Sequence, residues 1–180
     1  MEKRILTPHT NFSDKIRIAG IEEESFVDGP GIRLVVFMQG CPHHCPGCHN
    51  PETHSYDKGK IISVNDVLSK LASSSMYQGI TFSGGEPFIH SDNLINLATE
   101  VKRCGYDIVF YSGWTFEELL EKSKKEEEII NLLILGDILV DGKFLIEERS
   151  LELRWRGSRN QRIIDIPKSM VFSEAIFYEE

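Results

Sequence analysis

"IRLVVFMQGCPHHCPGCHN", residues 32–50, runs an apolar stretch straight into a knot of thiols and imidazoles. The first seven residues are rich in Val and Ile and read as a strand. Directly after it come Cys41, Cys45 and Cys48 in a C-x3-C-x2-C spacing, with His43, His44 and His49 among them. The remaining cysteine, Cys104, lies far along the chain at the end of an apparent helix, where it reads as core filling.

Outward from this stretch, strands and helices alternate. "IRIAGI" (16–21) is a strand, and "VDGPG" (27–31) carries the glycines and proline of a turn. "SVNDVLSKLASSS" (63–75) is a helix: Ser63 with Asp66 resembles a capping box, and Val64, Val67, Leu68 and Leu71 share one face. "GITFSGGEP" (79–87) is a strand entering a glycine turn. "SDNLINLATEVKRC" (91–104) is a helix with a stripe of Leu94, Leu97, Ala98 and Val101. Then follow a strand at 107–113, helices at 115–123 and 125–133, and a strand within 137–144. The segment 153–166 ends in a short strand. Such alternation implies βαβ units and a mostly parallel α/β sheet. A complete (β/α)8 barrel needs about 250 residues, so the 180 residues here build part of one, as a single domain over 1–180 with residues 1–15 a loose leader.

Composition narrows the function classes. At 41% hydrophobic the chain supports one well-buried core, and its charged fraction of 27% shows no low-complexity stretch. A net charge of −8 disfavours general nucleic-acid binding. No apolar run reaches the ~18 residues of a membrane span, and "MEKRILTPHTNFSDK" has no apolar signal core. The expected compartment is the cytoplasm, where thiols stay reduced, so disulfides account poorly for the cysteine cluster.

Metal binding accounts for it better. Zinc takes four N or S ligands, usually in C-x2-C pairs, and would need a fourth donor from His43, His44, His49 or His54. An ordinary [4Fe–4S] cluster takes four cysteines, and no fourth lies nearby. Three cysteines on a four-iron cube leave one iron open, like catalytic metal sites that keep a position for substrate. "SGGEP" (83–87) ends a parallel strand, where α/β folds place ligands. Gly84 and Gly85 allow close backbone approach, and Glu86 offers a negative charge to an ammonium group.

"CPHHCPGC" together with "GGEP" resembles the radical S-adenosylmethionine superfamily. The resemblance implies a partial barrel of that type, a [4Fe–4S] cluster on Cys41, Cys45 and Cys48, and S-adenosylmethionine bound through its methionine amino and carboxylate groups at the open iron. It implies that Gly47 and His49, flanking Cys48, lie against the adenine, that Gly84, Gly85 and Glu86 hold the methionine end, and that Cys48 and Ser83 also belong to the cofactor-binding set. Gly47 departs from the superfamily, where the residue before the third cysteine is often aromatic. His49 would supply the ring face instead.

"VDGPG" is similar to the glycyl-radical-enzyme activases, a branch that includes the pyruvate formate-lyase activase. "VDGKF" (140–144), "IVFYSGWTFEEL" (108–119) and "WRGSRNQR" (155–162) are similar to the anaerobic ribonucleoside-triphosphate reductase activases. This likeness spans residues 16–166. It implies reductive cleavage of S-adenosylmethionine and abstraction of a glycine Cα hydrogen from the reductase, with flavodoxin or ferredoxin as electron donor. It implies that Asp141 serves a bound monovalent cation and that Lys143 meets the methionine carboxylate; the alternative for both is a pair of surface charges on a turn. Arg154, Arg156, Arg159 and Arg162 read as a solvated edge, as a contact for the reductase, or as part of a closure of the open side by Trp155. His9, His54 and His90 read as ordinary solvated or capping residues. Two other readings stand beside the reductase activase: an activase for another glycyl-radical enzyme, and a zinc-stabilised interaction module.

Overall fold

The structure, a computed structural model, describes residues 15–179. The expected leader therefore lies outside the described residues apart from Lys15, and so does His9. Seven strands form one sheet in the order β3-β1-β2-β4-β5-β6-β7. They are β1 (Lys15–Ser25), β2 (Ile32–Met38), β3 (Lys60–Ser63), β4 (Tyr77–Gly84), β5 (Asp107–Ser112), β6 (Ile138–Asp141) and β7 (Arg162–Asp165). The helices are α1 (Val64–Ala72), α2 (Ser91–Arg103), α3 (Phe116–Ser123), α4 (Glu127–Leu133) and α5 (Ile166–Phe172). Strands β2, β4, β5 and β6 run parallel, and β3, β1 and β7 extend this centre with antiparallel pairings. The sheet does not close, so the partial barrel is borne out.

Three features differ from the sequence reading. Strand β1 pairs antiparallel with β2, because residues 26–31 between them are too few for a crossover, which needs about a dozen. Strand β3 and helix α5 were not foreseen. "KIIS" is too short for alternation to reveal, and α5 is announced only by its Asp165 cap and Pro167 at its start.

Period-2 alternation sorts the strand residues onto two faces. Leu34, Val36 and Met38 of β2, Ile80 and Phe82 of β4, Ile108 and Phe110 of β5, and Leu139 of β6 fall on one side. They join the α2 stripe and Ile129, Leu132 and Leu133 of α4 in one buried core. Caps fix the helices that cover it. Ser63 accepts from Asp66 N at the start of α1, and Thr115 forms a full capping box with Glu118 at α3. Each cap contributes about 1 kcal/mol.

The opposite, concave face carries Arg33, Thr81, Val109, Tyr111 and Val140. Arg33 is completely buried there and ion-paired to Asp107 at 2.5 Å. Its Nε donates to Thr81 Oγ1 (2.7 Å), Nη2 to the Ile80 carbonyl (2.8 Å) and Nη1 to the Pro30 carbonyl (2.9 Å). Thr81 Oγ1 donates in turn to the Asp28 carbonyl at 2.7 Å. These bonds hold the 27–31 turn against the inside of the sheet, and that placement brings Asp28 to the ligand cleft described next.

Candidate metal centre

The cysteine loop is built by the way β2 ends. Gln39 is buried and donates to the Glu52 and Ser55 carbonyls, while Gly40 N donates to Thr53 O and Cys41 N to His54 O. Residues 41–54 thus leave the sheet and return to it within one closed loop. The end of β4 presses on its base: Gly85 N donates to Met38 O (2.9 Å) and Glu86 N to Gly40 O (2.8 Å). A Cβ on Gly85 would stand 2.2 Å from the Gly40 carbonyl oxygen, and Gly84 takes φ +86° against Phe37. The paired glycines are therefore required by contact as well as by conformation.

Cys41, Cys45 and Cys48 line one cleft with His49, Ser83, Gly84 and Gly85, in a volume of about 190 Å³. A second groove of about 530 Å³ adjoins it, sharing Asp28, His49, Tyr111 and Gly157. The outer groove falls within the usual range of small-molecule sites, about 300–1,000 Å³. His49 packs against Phe144 at 4.8 Å, giving the junction of the two spaces a ring wall.

The donor set fits a polynuclear cluster. Among the described residues no three His, Cys, Asp or Glu side chains converge as a single ion requires. An iron–sulfur cube does not demand such convergence, since each thiolate binds a different iron of the cube. His54, which also lines the cleft, has a buried Nε2 with no partner among the described residues. A sulfur-rich group in the cleft offers acceptors to that nitrogen. Burial pushes the Cys41 thiol up to about 11, and nearby Glu86 and Cys45 add to the rise. Burial raises Cys48 as well. Cys41 and Cys48 therefore hold their protons more tightly in the metal-free pocket, and cluster binding expels them.

Four sequence-expected residues do not line the cleft. Gly47 sits at φ +71° beneath Ile146, whose Cδ1 would be 2.6 Å from a Cβ there. Glu86 is fully buried, and its carboxylate already accepts from Phe88 N, Ser112 Oγ, Gly113 N and His43 Nε2. These four donors match the lone-pair sites of a carboxylate, about four in number. Asp141 is fully buried and accepts from Phe116 N at 2.7 Å and from Arg162 Nε and Nη2 at 2.9 and 2.5 Å, so a guanidinium is its charged partner in this structure. Arg162 also binds Glu117, holding that carboxyl below its usual range, so the group ties β6, β7 and α3 together. Lys143 is exposed, and its carbonyl accepts from Asn160 Nδ2.

The "WRGSRNQR" segment folds back along the end of β6. Gln161 accepts from Gly157 N and Ser158 N and donates to Gly142 O, while Ser158 accepts from Leu145 N. Trp155 is buried in a left-handed conformation (φ +55°), its carbonyl accepts from Tyr111 Oη at 2.8 Å, and its ring lies under Arg154. These contacts fix the segment along the end of β6 and set Trp155 in the wall of the outer groove.

Sequence reasoning weighed His43 and His54 only as zinc donors, missed Asp28 and Tyr111 as cleft residues, and missed the partner of His90, whose Nε2 bonds to the Gln39 carbonyl at 2.7 Å. For His43 a signal existed, its position inside the C-x3-C span. For Asp28, "VDGPG" marked the turn but not that it folds inward.

An unclosed parallel sheet with three thiols and a glycine turn at its carboxyl ends defines a class: an α/β protein built around one iron–sulfur site. A family model described as a 4Fe-4S single cluster domain matches residues 27–164. The anaerobic ribonucleoside-triphosphate reductase-activating protein of Enterobacteria phage T4 is 36% identical over 146 residues, covering 77% of this chain and 86% of that one. Its counterpart from Escherichia coli (strain K12) is 34% identical over 144 residues, covering 75% and 89%. The pyruvate formate-lyase-activating enzyme of Listeria monocytogenes serovar 1/2a is 36% identical over 158 residues, covering 83% of this chain and 61% of that enzyme. The chain belongs to the single-cluster 4Fe-4S family, in the branch of the anaerobic ribonucleoside-triphosphate reductase-activating proteins.

Proposed function

We propose that this protein activates an anaerobic ribonucleoside-triphosphate reductase. Cys41, Cys45 and Cys48 hold a [4Fe–4S] cluster, and S-adenosylmethionine lies along the cleft and groove they border. The observation that carries the reading is that three thiols and the Ser83–Gly85 strand end line one cleft, while the fourth cysteine, Cys104, lies outside it. When bound, the cluster and S-adenosylmethionine supply a one-electron cleavage that yields methionine and a 5′-deoxyadenosyl radical, which takes a Cα hydrogen from a glycine of the reductase.

The chain's own residues position and enclose. Backbone groups of Ser83, Gly84 and Gly85 face the methionine end. The His49 ring on Phe144 offers a face to the adenine, and Tyr111 and Trp155 wall the groove against water. No general base or nucleophile is needed, in line with cofactor-borne chemistry. The whole chain acts as one domain, in the cytoplasm. Flavodoxin or ferredoxin delivers the electron, and neither membrane nor nucleic acid takes part. Among the described residues no helix is long and apolar enough to cross a membrane.

Activation of pyruvate formate-lyase is the second reading, favoured by the Listeria relative, of which the chain spans 61%. Coverage of 86% and 89% of the two reductase-activating relatives supports the first. The test mixes the reconstituted protein anaerobically with the reductase, a reductant and S-adenosylmethionine. A glycyl radical seen by electron paramagnetic resonance on the reductase is the expected result. A radical that forms on the lyase alone contradicts it.

A further inference from the structure

We infer that Glu86 is a positioning residue for the cysteine loop, acting through His43, and does not contact S-adenosylmethionine. This rests on the reading of residues 41–48 as the cluster loop. His43 lies between Cys41 and Cys45, and its Nε2–H donates to Glu86 Oε2 at 2.8 Å, with the two side chains 5% and 0% exposed. Its ring stands edge-on to Trp114 at 4.8 Å. It also rests on Gly113, where a Cβ would come within 2.3 Å of the imidazole. Residues 112–114 thus form a socket: Ser112 and Gly113 N–H bind the carboxylate, the bare Gly113 lies under the ring, and Trp114 flanks it.

The socket joins the ends of three parallel strands, the loop after β2, Glu86 after β4 and residues 112–114 after β5. The loop needs such an anchor. The other histidine in the span, His44, is exposed, takes a left-handed φ of +47°, and meets the edge of His54 at 5.0 Å. A side chain in that conformation is strained and persists only where its surroundings enforce it. A buried carboxylate stripped of the imidazole donor would lose part of what offsets its own burial, so carboxylate and ring act as a unit that fixes where Cys41 and Cys45 stand.

The test uses the full chain reconstituted anaerobically with iron and sulfide, as wild type, His43→Phe, His43→Gln and Glu86→Gln. Far-ultraviolet circular dichroism verifies that each is folded. The readouts are iron retained after a chelator challenge and the electron paramagnetic resonance spectrum of the reduced cluster, without and with S-adenosylmethionine. His43→Phe and Glu86→Gln should each shift the spectrum recorded without S-adenosylmethionine and lose iron several-fold faster. His43→Gln, whose amide N–H replaces the imidazole donor, should retain the wild-type spectrum. The double variant His43→Phe/Glu86→Gln should be no worse than the worse single one, as expected for partners in one contact. If Glu86→Gln leaves the ligand-free spectrum and iron retention unchanged and only weakens the response to S-adenosylmethionine, Glu86 is a ligand contact and the inference falls. It falls too if His43→Gln behaves as His43→Phe. Wild-type protein that takes up no iron overturns the cluster reading itself, and a responsive wild-type cluster with indifferent variants overturns this inference alone.

Discussion

The two faces of the sheet are made from alternate residues of the same strands, yet they solve different problems. The helix-covered face is apolar through its middle, with Leu34, Val36, Ile80, Phe82, Ile108 and Phe110 packed under α2 and α4. The concave face buries an arginine and a threonine, and sets Ser83 and Tyr111 at the cleft. On the first face, close packing of apolar side chains supplies stability. On the second, a lattice of directed bonds from Arg33 and Thr81 places a turn, and at the carboxyl ends the bonds to Glu86 place the cysteine loop. Replacements on the two faces should therefore fail in different ways.

The largest effect is expected at the thiols. Cys41→Ala, Cys45→Ala or Cys48→Ala should abolish the visible absorbance of the cluster and the release of 5′-deoxyadenosine, while circular dichroism shows the fold intact. Unchanged 5′-deoxyadenosine release would contradict the ligand assignment. Next comes Phe110→Ala on the helix face, which should cost about 3–5 kcal/mol in denaturant unfolding by leaving a cavity in the core. Arg33→Ala on the concave face should cost a similar amount, about 3–5 kcal/mol, for another reason: it strands Asp107 without its partner. Replacing Arg33 and Asp107 together by apolar residues should cost less than Arg33→Ala alone, whereas no second change of this kind rescues Phe110→Ala. That contrast, read from unfolding midpoints, separates a packing face from a bonding face.

Smaller effects sharpen the comparison at the cleft. Because Cys41 is raised to about 11 in the metal-free chain, its proton must leave when the cluster binds. Cluster loading, followed by absorbance, should thus rise with pH across the neutral range, and flat loading would oppose the burial argument. The mildest change is His54→Phe. Iron should stay bound, but loss of a ring N–H beside the cluster should lower its midpoint potential in a redox titration.

Legibility in the sequence followed the same division. The α2 stripe and the apolar runs of β2 and β5 announce the core, because the hydrophobic effect leaves a readable trace. The cysteine spacing and the double glycine marked the cleft, since thiol ligation and close backbone approach permit few substitutes. Glu86 and Asp141 were assigned to ligands because a carboxylate looks the same in sequence whether it faces solvent, a cation or a buried partner. Only folding brings His43 and Gly113 to the first and Arg162 to the second, across separations of 43, 27 and 21 residues. His54 was passed over for the same reason: its neighbours in the cleft come from another part of the loop and from β4.

The central claim is that three thiolates hold a cluster with one iron left to a small ligand. The most direct measurement is the electron paramagnetic resonance spectrum of the anaerobically reconstituted, reduced wild-type protein before and after addition of S-adenosylmethionine. A four-iron signal that changes on addition is the predicted result. A colourless zinc-containing protein with full fold, or a four-iron signal indifferent to S-adenosylmethionine, would contradict the account.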